Sequence, residues 1–226
     1  MKNKKILLSI TIPAILILAI LLITIPKNQT YKVDTSDIIQ RNSIIQNIAS
    51  SQVNQTEIEG LILMREEEKL ARDVYLFLFD KWQLNIFNNI ASSEQTHTDA
   101  IKDLLERYEI TDPMKTDKQG NFQSQEMQNL YNELTLKGST SLIDALIIGA
   151  TIEDLDIKDL EKLKKETDNQ DIILTYENLA KGSRNHLRAF VNQINSNGGK
   201  YSPQYISEEE YNSIISTEQE KGMIIS

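Results

Sequence analysis

The chain has 226 residues, of which 40% are hydrophobic and 25% are charged, with only eight glycines and four prolines. This composition is typical of a folded globular protein, and it favours long helices over a turn-rich β fold. The absence of cysteine and the presence of only two histidines exclude disulfides, iron–sulfur clusters, cysteine-ligated zinc, a thiol nucleophile and a three-histidine site. The formal net charge is −9, and −12 without the three lysines near the amino terminus, which argues against nucleic acid as a partner.

An uncharged apolar segment, residues 6–25, follows Lys2, Lys4 and Lys5. Twenty residues span roughly 30 Å as a helix, about the thickness of a bilayer core, so the segment predicts a transmembrane helix. The lysines favour a cytoplasmic start, which places the rest of a single-pass cell-membrane protein on the outer side. A cleaved signal peptide followed by secretion is the alternative, although the apolar part is long for one and no A-x-A-like cleavage site is seen.

Four regions are predicted along the chain: a membrane anchor or signal segment (1–26), a polar tether (27–55), a helical bundle (56–207) and a carboxyl-terminal tail (208–226). From residue 56 onward apolar residues recur at helical spacing, which predicts an all-α fold. Long helices are predicted over 57–81, 86–108, 141–165 (as one helix or two) and 169–195, with a shorter helix over 124–137. Thr56 and Glu59 fit an N-cap and its capping box at the first helix.

Each long helix carries one apolar face, and ionisable residues interrupt each face near its middle when the sequence is followed in steps of three and four. Burying a carboxylate is costly unless something compensates its charge. Several carboxylates at one depth of a bundle would also repel one another, and a multivalent cation between them would remove that repulsion. The sequence therefore predicts a metal site. The ionisable residues on these faces that could serve as ligands are, in chain order, Glu68, Glu94, His97, Glu153, Asp156 and His186.

Each of these residues has an ordinary structural explanation when it is considered alone. Glu68 follows two other glutamates, so one of the three would fall on almost any helix face. Glu94 and His97 are three residues apart and could simply share a hydrogen bond. The combination favours the metal site, because both histidines of the chain lie mid-helix on predicted core faces and carboxylates occupy the same level of the other two helices.

Three sequence runs around these residues resemble a known family. MREEEKLARDVY (64–75), SEQTHTDA (93–100) and YENLAKGSRNHLRAF (176–190) are similar to segments of the DUF2202 family, over about residues 57–207. The runs that contain Glu68 and Glu94 also look like the first two ligand helices of the rubrerythrins, so the resemblance is to a ferritin-like, rubrerythrin-related family. The resemblance implies a ferritin-like four-helix bundle with extra short helices, in which two helices each supply a Glu and two supply a Glu-x-x-His to a pair of metal ions.

Carried over by position, the resemblance makes Glu68 the terminal ligand of the first helix, Glu94 the bridge between two metals and His97 the ligand of one of them. Tyr75, two turns after Glu68 on the same face, is expected to fill core space rather than to relay an electron. On the remaining helices Glu153 and His186 would serve the second metal.

The fourth helix departs from the family pattern at Ser183, where Glu-x-x-His requires a glutamate. One bridging carboxylate is therefore missing. Asp156 could replace it from the neighbouring helix as an additional ligand, and otherwise the second metal position would be weak or empty.

Carboxylate-rich sites with one imidazole per metal suit iron, with manganese or zinc as alternatives. We therefore expect a membrane-tethered protein with two iron ions, acting as a di-iron oxidase, peroxidase or ferroxidase on O2, peroxide or Fe(II) and served by an external electron donor. The rival interpretation is a non-enzymatic, surface-tethered metal-binding or interaction module, which Ser183 favours. Association into a homodimer is left open.

Overall fold

The structure is a computed structural model that describes residue 48 and residues 51–225. The predicted anchor (1–26) and most of the predicted tether lie outside the described residues, so both stay predictions. The regular secondary structure of the described part is helical throughout, with no strand, which confirms the all-α fold class. None of its helices combines the length and the apolar character needed to cross a bilayer.

The described part of the chain contains six helices, and the five predicted ones begin and end within two residues of their expected positions. The segment predicted as one helix or two is a single helix, and a short helix in the carboxyl-terminal tail was not predicted. In chain order, α1 to α6 are Gln55–Trp82, Asn85–Arg107, Gln125–Gly138, Leu142–Lys164, Gln170–Ser196 and Glu208–Ile215.

The N-cap of α1 is Asn54, so its predicted assignment to Thr56 is wrong. The Asn54 side-chain oxygen accepts hydrogen bonds from the backbone N–H groups of Thr56 and Glu57, and the Glu57 carboxylate accepts one from the N–H of Asn54. Asn54 and Glu57 are three residues apart and satisfy the same capping-box spacing as the predicted pair. Glu57 also accepts hydrogen bonds from Thr167 and Asn169, which ties this end of α1 to the link between α4 and α5.

The four long helices pack as two pairs, α1 with α2 and α4 with α5, and the pairs meet through α1–α4 and α2–α5. Only Gln83 and Leu84 join α1 to α2, and Gln83 reverses the chain in the left-handed conformation with φ 52°. An apolar cluster fills one end of the bundle with side chains from all four helices. Buried Tyr75, Phe87 and Phe190 fill the other end. The polar residues of the predicted site therefore lie between two apolar layers.

Asp154, on α4, anchors the segment between α5 and α6. Its carboxylate is fully buried and accepts hydrogen bonds from the Tyr201 hydroxyl and from the backbone N–H groups of Gln204 and Ile206, at 2.7, 2.5 and 2.9 Å. After α6 the chain runs along α5, where Glu220 accepts hydrogen bonds from Arg184.

Replacing Asp154 by asparagine is expected to lower the free energy of unfolding by about 1–3 kcal/mol, because the amide turns N–H groups toward buried N–H donors. Urea denaturation measures the change. Asp159→Asn is the matched control on the same helix, since the Asp159 side chain is partly exposed and, in the described part of the chain, forms an ion pair with Lys158 at 3.3 Å. Equal stability of the two variants would show that Asp154 does not hold the segment between α5 and α6.

Candidate metal centre

Five of the six predicted ligands meet in the middle of the bundle. They form two groups that share Glu94: Glu68, Glu94 and His97 on one side, and Glu94, Glu153 and His186 on the other. Within each group, one potential ligand atom per residue lies within 4.8 Å of the others. All five side chains are buried. The helical spacing explains this meeting, because each residue lies on the core face of its helix at the same level.

The carboxylate of Glu94 contacts both imidazole rings. Its Oε2 is 2.8 Å from Nδ1 of His97, and its Oε1 is 2.8 Å from Nδ1 of His186. Each Nδ1 also faces a second carboxylate, that of Glu68 at 3.2 Å and that of Glu153 at 3.3 Å. The two rings are stacked with their centroids 5.6 Å apart. The Nδ1 atom of each imidazole therefore contacts two carboxylates, and one of these, Glu94, is shared by both rings.

Burial and charge act in opposite directions on these groups. Burial raises the pKa of Glu68 well above its usual range, and burial with the nearby charge of Glu94 raises the pKa of Glu153. Burial also acts to raise the pKa of Glu94, but His186 and His97 outweigh it and lower that pKa. Burial acts to lower the pKa of His186, yet Glu94 and Glu153 raise it to about 9. Glu94 is therefore the carboxylate that stays ionised, and both rings favour their charged form.

Asp156, the sixth predicted ligand, is buried beside the two groups but belongs to neither. Its Oδ2 accepts a hydrogen bond from the hydroxyl of Ser183, the residue of α5 at which the sequence departs from the family pattern. Burial, followed by the charges of Glu68 and Glu153, raises the pKa of Asp156 well above its usual range. A carboxylate from α4 thus lies next to the position on α5 where the pattern lacks one.

The arrangement fits divalent cations. Two ligand atoms at about 2.1 Å from one ion and at right angles to each other are about 3 Å apart, close to the Nδ1–oxygen distances on both sides of Glu94. Oε1 of Glu68 is buried and has no hydrogen-bond partner among the described residues. In the described ion pairs Glu68, Glu94 and Glu153 contact only histidine, and Asp156 takes part in none. The nearby cations Arg65, Lys69 and Arg72 pair with other aspartates. Two divalent cations would match the four carboxylates in charge.

Two further side chains contact the ligands through atoms that point away from Glu94. The sequence patterns did not assign them this role. The Tyr75 hydroxyl donates a hydrogen bond to Oε1 of Glu153 at 2.5 Å, and Nε2 of His186 lies 3.1 Å from the Ser93 hydroxyl. The predicted core role of Tyr75 is compatible with this contact, because its ring packs on Phe190 with a centroid distance of 5.3 Å. Ser93 carries no periodic signal, since its contact crosses from α2 to α5.

Gly182, on α5, makes room for the ring of His97. A Cβ atom at this position would lie 2.5 Å from both Cε1 and Nε2 of His97, closer than any tolerated contact. Glycine in a helix interior costs about 1 kcal/mol relative to alanine. This cost was a signal in the sequence that position 182 faces a close neighbour.

Replacing Gly182 by alanine is expected to push the His97 ring aside, to destabilise the fold by about 1–3 kcal/mol and to weaken cation binding on the His97 side. Thermal unfolding and a Mn2+ titration measure the two effects. Asn192→Ala, at an exposed position of the same helix, is the control. Unchanged Mn2+ binding by the Gly182 variant would show that His97 is not a ligand.

Comparisons with known proteins identify the family. Residues 57–218 match the family described as "Uncharacterized protein domain (DUF2202)". The uncharacterized protein MJ0754 of Methanocaldococcus jannaschii is 59% identical over 179 residues, which are 79% of this chain and 97% of that protein. The crystal structure of hypothetical protein MJ0754 from Methanococcus jannaschii aligns with a TM-score of 0.76, covering 77% of this chain and 99% of that chain. The chain therefore belongs to the DUF2202 family.

Proposed function

We propose that this chain is a ferritin-like, rubrerythrin-related protein that binds two metal ions between its four long helices. The observation that carries the proposal is the position of Glu94, with each carboxylate oxygen 2.8 Å from the Nδ1 atom of a different histidine. Two helices that each supply a carboxylate, and two that each supply a histidine, follow the general plan of di-metal carboxylate bundles. The departure from that plan is Ser183, whose hydroxyl donates a hydrogen bond to the neighbouring carboxylate of Asp156.

Glu68, Glu94 and His97 would hold one ion, and Glu94, Glu153 and His186 the other. Carboxylate and imidazole donors suit iron, and they also accept manganese and zinc. When bound, a pair of iron ions would supply electrons to O2 or peroxide, or would itself be oxidised as substrate. We therefore propose a di-iron oxidase, peroxidase or ferroxidase, tethered to the outer face of a membrane by residues 6–25 and reduced by an external donor.

The side chains of the chain have their own parts in this function. The apolar layers on both sides of the ligands exclude water, which strengthens every electrostatic interaction inside the site. Glu94 orients the two imidazoles, because each of its oxygens contacts the Nδ1 atom of a different ring. Tyr75, whose pKa burial and the charge of Glu153 raise well above its usual range, stays protonated and donates to Glu153.

The test is metal analysis of the full chain purified without chelator, together with its rate of peroxide consumption. The proposal predicts about two irons per chain and peroxide turnover that depends on a supplied reductant. His97→Ala should remove about half of the metal, because it deletes one ligand of one ion only. A wild-type chain with well under one metal ion would contradict the proposal.

A second candidate function is non-enzymatic binding of metal ions by a surface-tethered module. Ser183 favours it, because the hydroxyl replaces a carboxylate that would bridge the two ions. Full metal occupancy without peroxide turnover or Fe(II) oxidation would support this function over the redox one.

A further inference from the structure

The two groups of ligands share Glu94 but are supported differently. We name them by their histidines. The His97 position consists of Glu68, Glu94 and His97, and the His186 position consists of Glu94, Glu153 and His186. The two positions differ in the hydrogen bonds that are made by the ligand atoms pointing away from the place where a cation would bind.

At the His186 position, Glu153 and His186 each have a second hydrogen-bond partner that orients the side chain. Glu153 accepts the Tyr75 hydrogen bond on Oε1, which leaves Oε2 facing His186. The second ring nitrogen of His186 lies 3.1 Å from the Ser93 hydroxyl. With Nε2–H donating to Ser93, Nδ1 is the nitrogen that faces Glu94 and Glu153, and its lone pair is available to a cation that displaces its proton. Both side chains are thus oriented before any ion arrives.

At the His97 position this support is absent from the described residues. Oε1 of Glu68 is buried with no hydrogen-bond partner, and no described hydrogen bond reaches Nε2 of His97. The ring lies against Gly182, which limits its position but does not choose its tautomer. Glu68 is therefore held through Oε2 alone, so the orientation of its other oxygen and the tautomer of His97 are set when a cation binds.

Ordering side chains on binding weakens affinity, and the partners behind a metal ligand typically change metal affinity 10–100-fold. We propose that the two cation positions are unequal: the His186 position binds the first divalent cation tightly, and the His97 position binds the second cation more weakly and exchanges it. This inference rests on the proposed function, since it assigns an order to the same two ions. It makes the first cation resident and the second exchangeable.

Repulsion between two cations produces two binding steps even for identical positions, so the test must identify which position fills first. The probe is Mn2+, titrated into chelator-treated full chain and followed by calorimetry and by the spectrum of bound Mn2+. Tyr75→Phe removes one hydroxyl and should weaken the tight step roughly 10–100-fold while leaving the weak step unchanged. Ser93→Ala should act in the same direction. His97→Ala should keep one tight step and lose the weak one.

Tyr176→Phe is the matched control, because the Tyr176 ring is also buried and its hydroxyl has no hydrogen-bond partner among the described residues. It should bind Mn2+ as the wild type does. If Tyr75→Phe is unfolded in the metal-free state, Ser93→Ala, which removes the hydroxyl that contacts His186, decides the question alone.

The outcomes distinguish a failure of the proposed metal site from a failure of the proposed binding order. A wild-type chain that binds no Mn2+ overturns the proposed function itself. Two binding steps that Ser93→Ala and Tyr75→Phe leave unchanged, or a tight step that disappears in His97→Ala, overturn the assigned order and leave the metal site standing.

Discussion

Replacing Glu94 by alanine is expected to abolish binding of both cations, whereas replacing either histidine removes only one. Among the described residues, Glu94 is the one side chain in ion pairs with both imidazoles, through a different oxygen in each case. Its loss also leaves His97 and His186 without their nearest buried counter-charge, and removing one partner of a buried ion pair typically costs about 3–5 kcal/mol. Mn2+ stoichiometry by equilibrium dialysis and urea denaturation of the metal-free protein measure the two effects.

Glu106→Ala is the control for this variant. Glu106 lies on the same helix, and its side chain is 66% exposed in an ion pair with Lys102. A surface substitution of this kind is expected to change stability by less than about 0.5 kcal/mol and to leave two cations bound. Retention of even one tightly bound cation by Glu94→Ala would show that Glu94 does not bridge the two positions.

The metal-free protein is expected to lose stability as the pH rises from about 6.5 to about 9. Folding raises the pKa of His186 from 6.5 to about 9, because Glu94 and Glu153 outweigh the effect of burial. A raised pKa contributes stability that is fully present below the pKa of the unfolded state and is lost as the pH passes the folded value. For His186 this loss is on the order of 3 kcal/mol. His97, whose pKa is also raised, acts with the same sign.

Urea midpoints measured in chelator at a series of pH values test this trend. His186→Gln should reduce the slope, since one of the two titrating rings is gone and His97 remains. Saturating Mn2+ should reverse it, because a cation displaces the Nδ1 proton and binds more tightly as that proton becomes easier to remove. Stability of the metal-free wild type that increases between pH 6.5 and 9 would contradict the charge arrangement around Glu94.

Much of the helical layout was predictable because periodicity alone identifies a buried face. Steps of three and four place Leu160 and Leu179 in the core, and the structure buries both. The same steps bring Glu94 and His97 to one level, since residues three apart are neighbours on a helix. The meeting of residues from four different helices follows once each buried face must turn toward a common core.

Contacts between distant segments were not predictable in this way. Asp154 looks like one more helix acid, yet it accepts hydrogen bonds from Tyr201 and from backbone groups about fifty residues later in the chain. Asn54 was missed as the N-cap because Thr56 has a glutamate at the same spacing. The contact between Ser93 and His186 depends on the distance between α2 and α5. The spacing of residues within either helix does not predict that distance.

The most direct test of the central claim is anomalous diffraction from crystals of the chain loaded with Mn2+ or with Fe(II) under anaerobic conditions. Two peaks are expected, one contacted by Oε2 of Glu94 and Nδ1 of His97, and the other by Oε1 of Glu94 and Nδ1 of His186. A loaded crystal with no anomalous peak at Glu94, while its side chain still contacts both rings, would contradict the binuclear site.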